Sequence, residues 1–470
     1  MKHNLRAAIV ISLFASTSTL AAQQPVTITA EAQQDLAVTL YSDNLGLIQD
    51  TRALPKLDSA DRVVVRDVSQ QMQTETLQIT NAGRIKEQTL NSAVVNYHAM
   101  LTHYLGKQVT LSRVQPSGQE IQQNVTLLSV DGATMLVENN ARVETVPMNG
   151  DWRIIFPEKP SDLLIKPSLT FRTAGTEQPS NATLSYLSSG LRWQMDYVMT
   201  LNEAQDRLNI DGLASLMNNT GTALENARFR LLAGDVNQVR NAPVMRRKEV
   251  LMAAAMADES QAGSGPQNIG EYKLYTLPEP ITLQDQQRTQ VPLLSASNVP
   301  VQSLQRYQFY VGNHIDSHTS KSKPENIIRF KNSAESGLDK ALPGGNVRMF
   351  APDGQSELHY IGGAQLPQTS RGEQIELSTG AAFDVTITRK QTAFENTFDG
   401  AIVEYELTIK NAAAQPRQVE IGAMFSQPWK LESSTFKPTE TSGGAAKWAI
   451  SASGKTDTVM RIRVRLTDRK

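Results

Sequence analysis

Strict alternation of apolar and intervening side chains is the feature that most limits what this chain can become. Leu191, Trp193, Met195, Tyr197, Met199 and Leu201 take every second position, with Arg192, Gln194, Asp196, Val198 and Thr200 between them. Successive side chains of a strand point to opposite faces, so six consecutive matches to a period of two specify a half-buried β-strand. After a polar loop at 202–206 the pattern returns as Leu208, Ile210, Gly212, Ala214 and Leu216. It breaks at Asn218-Asn219-Thr220-Gly221 and resumes as Ala227, Phe229, Leu231 and Ala233. The segment reads as a three-stranded antiparallel meander.

The last ninety residues repeat the signal. Phe383, Val385 and Ile387 form one run; Ala401, Val403, Tyr405, Leu407 and Ile409 another; Val419, Ile421, Ala423 and Phe425 a third; Met460, Ile462, Val464 and Leu466 the last. Strand number and spacing predict an immunoglobulin-like β-sandwich over 381–470, without a disulfide. Residues 107–156 hold five short β-runs separated by polar turns, which predicts a small SH3-like barrel over 107–157, since strands this short need their edges satisfied. One short helix is expected between Leu90 and Leu105. Val94, Tyr97, Leu101 and Tyr104 supply its apolar spacing, Asn91 or Ser92 its cap and Gly106 its end.

The fold class is therefore mainly β: tandem antiparallel β-sandwiches with a small SH3-like barrel and one short helix. The remaining divisions are an N-terminal β region ending in the helix (26–106), a β-sandwich (158–330) and a β connecting region (331–380). Within the first sandwich, 241–270 reads as a mobile insertion. Its basic start, Arg246-Arg247-Lys248, and the short Met252–Met256 run do not sustain an amphipathic pattern.

Composition narrows the function classes. With 46 Lys+Arg against 47 Asp+Glu the formal charge is −1, which gives no electrostatic basis for binding nucleic acid. The absence of cysteine removes disulfides, thiolate metal sites and thiol nucleophiles. Residues 1–21 have the form of a signal peptide: Lys2 and Arg6, the apolar run Ala7–Phe14, then Thr19-Leu20-Ala21, with cleavage expected near Ala21 or Ala22. Eight apolar residues are too few to remain as a span, so a periplasmic or secreted location follows, with no transmembrane span in the mature chain.

Few residues recommend themselves for chemistry. Arg461, Arg463 and Arg465 share one strand face at a spacing that suits successive charges of a polyanion, but Glu404 and Glu406 are placed to pair with them. His98 and His103 lie five apart, out of register on a helix. His314 and His318 have chelating spacing around Asp316, yet no third ligand is evident. Ser434-Thr435-Phe436-Lys437 matches S-x-x-K, but Pro438 argues against the helix that motif requires. Asp196, Glu203, Asp235 and Glu406 are conceivable glycosidase carboxylates without a motif to select them. The Asn-x-Thr sequons at Asn124, Asn181 and Asn218 read as chance matches. No catalytic, cofactor or metal residue is assigned.

Three stretches, 37–54, 184–237 and 342–392, together resemble the bacterial family carrying the domain of unknown function 4139. The shared pattern is the Trp193/Tyr197 strand, the N-x-T-G turn with Gly221, Leu-Ala-Gly-Asp with Gly234 and Asp235, and the P-x-G-x-V-R run from Pro343. The resemblance implies an exported, β-rich envelope protein with no established enzymatic activity. Relatives termed mucoidy inhibitors usually carry a different N-terminal domain and a long coiled coil, neither of which is found here. The function expected is a non-catalytic binding or scaffold protein of the periplasm or cell envelope, its partner an envelope protein or a glycan. The alternative is a hydrolase of envelope glycans or proteins.

Overall fold

The computed structural model describes residues 25–59, 61–91, 94–148, 150–160, 163–234, 236, 266–355 and 357–468. Residues 1–21, read above as a signal peptide, and most of the insertion expected at 241–270 lie outside them; the described tail of that segment includes the strand Gln267–Ile269. The protein is mainly β, with a single α-helix among the described residues, and no helix there is long and apolar enough to cross a membrane. It divides into two compact units. One comprises residues up to Asp35 with Gln49–Tyr186, the other Leu36–Ile48 with Leu187–Lys470.

In the first unit, Arg142–Pro147, Thr134–Asn139, Glu120–Asp131, Gln108–Val114 and Arg153–Ile155 form one antiparallel sheet in that order. The five expected strands are present, but the sheet is not a closed barrel. Its end strands, 142–147 and 153–155, share no ladder. The helix explains why closure is unnecessary: its Leu101, with Tyr104 at its C-cap, covers the apolar face formed by Val109, Leu111, Val125, Leu127, Met135 and Val137. That helix is only Tyr97–His103. Leu90 and Asn91 belong to the preceding strand Ile85–Asn91, and the cap is Asn96, whose side chain accepts from the Ala99 N–H at 2.8 Å. Elsewhere in this unit a buried ion pair on one strand joins Asp50 and Arg52 at 2.7 Å, and Arg52 also donates to the Arg66 carbonyl.

The second unit contains two sandwiches with a common plan. In the first, one sheet runs Gln267–Ile269, Tyr272–Thr276, Leu224–Ala233, then residues 36–40 and 46–48. In the second, the corresponding order is Glu440–Thr441, Ala445–Ala452, Arg417–Phe425, Gln302–Val311 and Glu325–Lys331, with Gln374–Ala381 beyond. Each sheet is antiparallel except at the same joint. Residues 228–231 run parallel to 37–40, and residues 419–425 run parallel to 305–311. The facing sheets match too: Gln287–Pro300, Arg207–Asn218 and Leu191–Leu201 correspond to Thr456–Thr467, Gly400–Asn411 and Val385–Thr397. The second sandwich encloses Tyr405, Ile421, Trp448, Ile462 and Val464, all buried, between its two sheets. Phe383, expected on this face, is instead 90 % exposed.

The expected meander is corrected at its third strand. The 191–201 and 207–218 strands pair over eleven residues, but Leu224–Ala233 crosses to the other sheet. The turn that redirects it is built on Asn218. Its Nδ2 donates to the Thr222 and Leu283 carbonyls at 2.8 and 3.0 Å, and its Oδ1 accepts from the Thr220 N–H at 3.0 Å. Asn411 repeats the arrangement with Gln415, Ala452 and Ala413, all at 3.0 Å. The free edge of the 191–201 strand is then taken by Gly345–Pro352, in parallel from Met195↔Gly345 to Thr200↔Phe350, followed by Leu358–Leu366. Part of the connecting region thus completes the first sandwich.

Both asparagines are buried, so losing either amide strands two carbonyls and an N–H away from water. Asn218→Ala and Asn411→Ala are each expected to cost about 2 kcal/mol in urea unfolding. A loss under roughly 0.5 kcal/mol for either would contradict the common turn mechanism.

Candidate functional site

The residues carrying the family resemblance prove to be joints of the first sandwich. Trp193 is buried and donates from Nε1 to the Leu232 carbonyl at 3.0 Å, tying the hairpin to the opposite sheet. Tyr197 donates to the Pro343 carbonyl at 2.7 Å, and burial raises its phenol far above the ordinary range. That bond joins two of the distant motifs. Gly345 lies against Met195, where a Cβ would come within 2.3 Å of its carbonyl oxygen. Gly221 turns with φ +83° and donates to Asp285 Oδ1 at 2.8 Å; Gly234 has φ +129° and packs against Tyr272, leaving no room for a Cβ. Asp235 lies outside the described residues.

Arg461, Arg463 and Arg465 share one face of the second sandwich, but carboxylates meet each of them. Arg461 reaches Glu406 at 2.7 Å; Arg463 reaches Glu395, Glu432 and Glu404 at 3.0, 3.2 and 3.5 Å; Arg465 reaches Glu432 at 3.0 Å. Three guanidiniums facing four carboxylates leave no positive excess for a polyanion. The opposite sheet carries a closed ring that the sequence pattern does not reveal. Arg306 and Arg329 each bridge Glu376 and Glu420, at 2.6 to 2.8 Å. Hydrogen bonding from Arg306 is the largest cause holding the Glu376 carboxyl down to about 2.

Asp196 is the most enclosed of the three suggested carboxylates that can be placed. Burial pushes its pKa up, but hydrogen bonds from Ser215, Gln194, Asn346 and Arg348 outweigh that and leave it lowered. Glu203 sits exposed in the 202–206 turn, and Glu406 is paired with Arg461 in the other sandwich. Ser434 ends the strand Trp429–Ser434 and donates to the Phe436 carbonyl across a bend, so S-x-x-K is not helical. Asp316 is bound to Arg389 at 3.1 Å, while His318 projects into solvent. Of the sequons, Asn218 is fully buried. One group with ligand-like spacing, Asp353, Glu357 and His359, closes the hairpin between Gly345–Pro352 and Leu358–Leu366. Asp353 there accepts from the Gln355 and Glu357 N–H groups and from His359.

A cleft of about 910 Å³ opens at one edge of the second sandwich. It lies where the strand Trp429–Ser434 approaches the turn before Ala445–Ala452, and Phe425, Gln427, Trp429, Lys430, Ser442 and Gly443 line it. Trp429 stacks on Phe425 with ring centroids 4.1 Å apart and planes 12° apart, and its Nε1 donates to the Ser442 carbonyl at 3.2 Å. The ring is thereby fixed in place. Gln427 Nε2 is buried without a hydrogen-bond partner. A smaller groove of about 350 Å³ is lined by Leu201, Leu304, Ile361 and Phe383. Comparison with protein-family models finds no match, and comparison with curated proteins finds no relative.

The Arg–Glu ring should dominate part of the acid response. Glu376 has its carboxyl lowered from 4.5 to about 2, so its stabilisation is complete above pH 4.5 and is lost as pH falls towards 2. Glu376→Gln is expected to cost roughly 1–2 kcal/mol at pH 7 and to flatten the fall in Tm between those pH values. An acid dependence identical to that of the parent chain would contradict the ring's role.

Proposed function

We propose that this chain is an exported, non-catalytic binding or scaffold protein of the bacterial cell envelope, and a member of the family carrying the domain of unknown function 4139. The observation that carries the first part is the direction in which its carboxyl groups are perturbed. Glu120, Asp196, Asp353, Glu376 and Glu420 are all lowered, by hydrogen bonds and neighbouring cations. A general acid near neutral pH needs the opposite shift, towards a carboxyl that keeps its proton. Side chains that stay ionised and paired favour a rigid support over a reactive centre. The aromatic cleft then supplies a surface for recognition.

The family reading is supported by where the shared motifs fall. Trp193, Tyr197, Gly221 and Gly234 occupy joints whose chemistry is hydrogen bonding, close approach and turning. Such positions specify a fold, in keeping with a family defined by sequence and without a common reaction. The address rests on the leader-like residues 1–21 and on the lack of a cysteine that could carry a lipid anchor.

Expression of the full chain in a Gram-negative host tests the address. The expected product is found in the periplasmic or culture fraction, with an N-terminus at Ala22 or Gln23 by mass spectrometry. A cytoplasmic product that retains Met1 or Lys2 would overturn it.

A further inference from the structure

We infer that two copies of this chain associate through the strand Arg142–Pro147, paired edge to edge about a two-fold axis at Val143. That strand ends its sheet, and among the described residues only Thr134–Asn139 pairs with it. The two-residue turn Asn140-Ala141, with φ +49° and +61°, closes on the Asn139↔Arg142 pair, which therefore exchanges both backbone bonds. Such pairs alternate along an antiparallel ladder. Arg142, Glu144 and Val146 accordingly bond inward, and the N–H and C=O groups of Val143 and Thr145 point away from the sheet. Residues 142–145 are all exposed, Val143 at 64 %. Outward backbone groups beside an exposed apolar side chain are the template a further strand needs.

Charge complementarity selects a second copy as that strand and fixes the register. In a symmetric antiparallel pair an outward residue faces an outward residue, which leaves three choices. With Val143 opposite Thr145, Glu144 meets the second copy's Glu144, and like charges directly opposite are destabilising. With Thr145 opposite itself, Val143 meets Pro147, which has no N–H to give. With Val143 opposite itself, Arg142 of each copy faces Glu144 of the other at the non-hydrogen-bonded positions, where side chains approach most closely. Both charges are available for this, since neither Arg142 nor Glu144 has an ion-pair or side-chain hydrogen-bond partner among the described residues. The other edge of the sheet differs: Arg153 there is already held by Glu120 at 2.5 Å. A contact of this kind uses the same patch on both copies, so association stops at two. It covers well under the about 1,000 Å² of a stable interface, so the dimer is weak and reversible.

Sedimentation equilibrium of the purified protein, up to about 1 mM in low salt, tests the pairing; a monomer–dimer equilibrium with a dissociation constant on the order of 100 µM is expected. Arg142→Glu alone and Glu144→Arg alone should each weaken association about tenfold or more, because each places like charges opposite one another twice per dimer. An equimolar mixture of these two variants should associate about as well as the parent chain, since every glutamate then faces an arginine. The double variant Arg142→Glu/Glu144→Arg should do the same. Both positions are exposed, so the urea unfolding curves should stay within experimental error of the parent's, which separates association from folding. A parent chain that remains monomeric at the highest concentration, or assemblies that grow beyond two, would overturn the proposal. So would single variants that associate as the parent does, or a mixture that associates no better than its components.

Discussion

Buried backbone must find hydrogen-bond partners, and the strand Leu191–Leu201 shows how far this chain goes to provide them. One of its edges is paired by its own hairpin; the other is paired by Gly345–Pro352, about 150 residues later. Tyr197 and Gly345 make that second pairing specific. The phenol reaches the Pro343 carbonyl, and a residue without a side chain lets the two backbones approach beside Met195. The insertion that supplies Gly345–Pro352 leaves the second sandwich between Glu325–Lys331 and Gln374–Ala381. Each sandwich therefore cannot be completed by contiguous sequence alone.

The two sandwiches answer the same problem with the same devices. A parallel joint sits at the same place in each, and a buried asparagine ends the second strand of each hairpin, sending the chain to the opposite sheet. Three side-chain hydrogen bonds agree in direction at Asn218 and Asn411, two donated by the amide to carbonyls and one accepted from the N–H two residues on, which fits two modules built on one plan. They differ in what has been added. The first receives a pair of strands from its neighbour; the second carries the edge strand Trp429–Ser434 and, beside it, the aromatic cleft.

Much of this was legible in the sequence and some of it was not, for a physical reason. Period-two alternation reports which face of a strand is buried, so the strands around Trp193, Tyr405 and Ile462 could be read directly. Alternation is silent about partners, and so the path of Leu224–Ala233 and the parallel joints were missed. Strand length alone predicts closure of the 107–157 sheet, whereas Leu101 of the helix and Tyr104 at its C-cap cover the face instead. At the arginine stripe, Glu404 and Glu406 were visible because they lie on an alternating strand; Glu395 and Glu432 come from strands whose register only the fold supplies. The cleft is built from a connector and a turn, segments without periodicity. Only the aromatic pair Phe425 and Trp429 could have marked it.

Hydrogen exchange followed by mass spectrometry tests the central pairing most directly. Peptides covering 191–201 and 345–352 should show matched, slow exchange, and Tyr197→Phe should accelerate both together while leaving 400–411 protected. Rapid exchange of 345–352 in the parent chain, or its independence from position 197, would contradict the account.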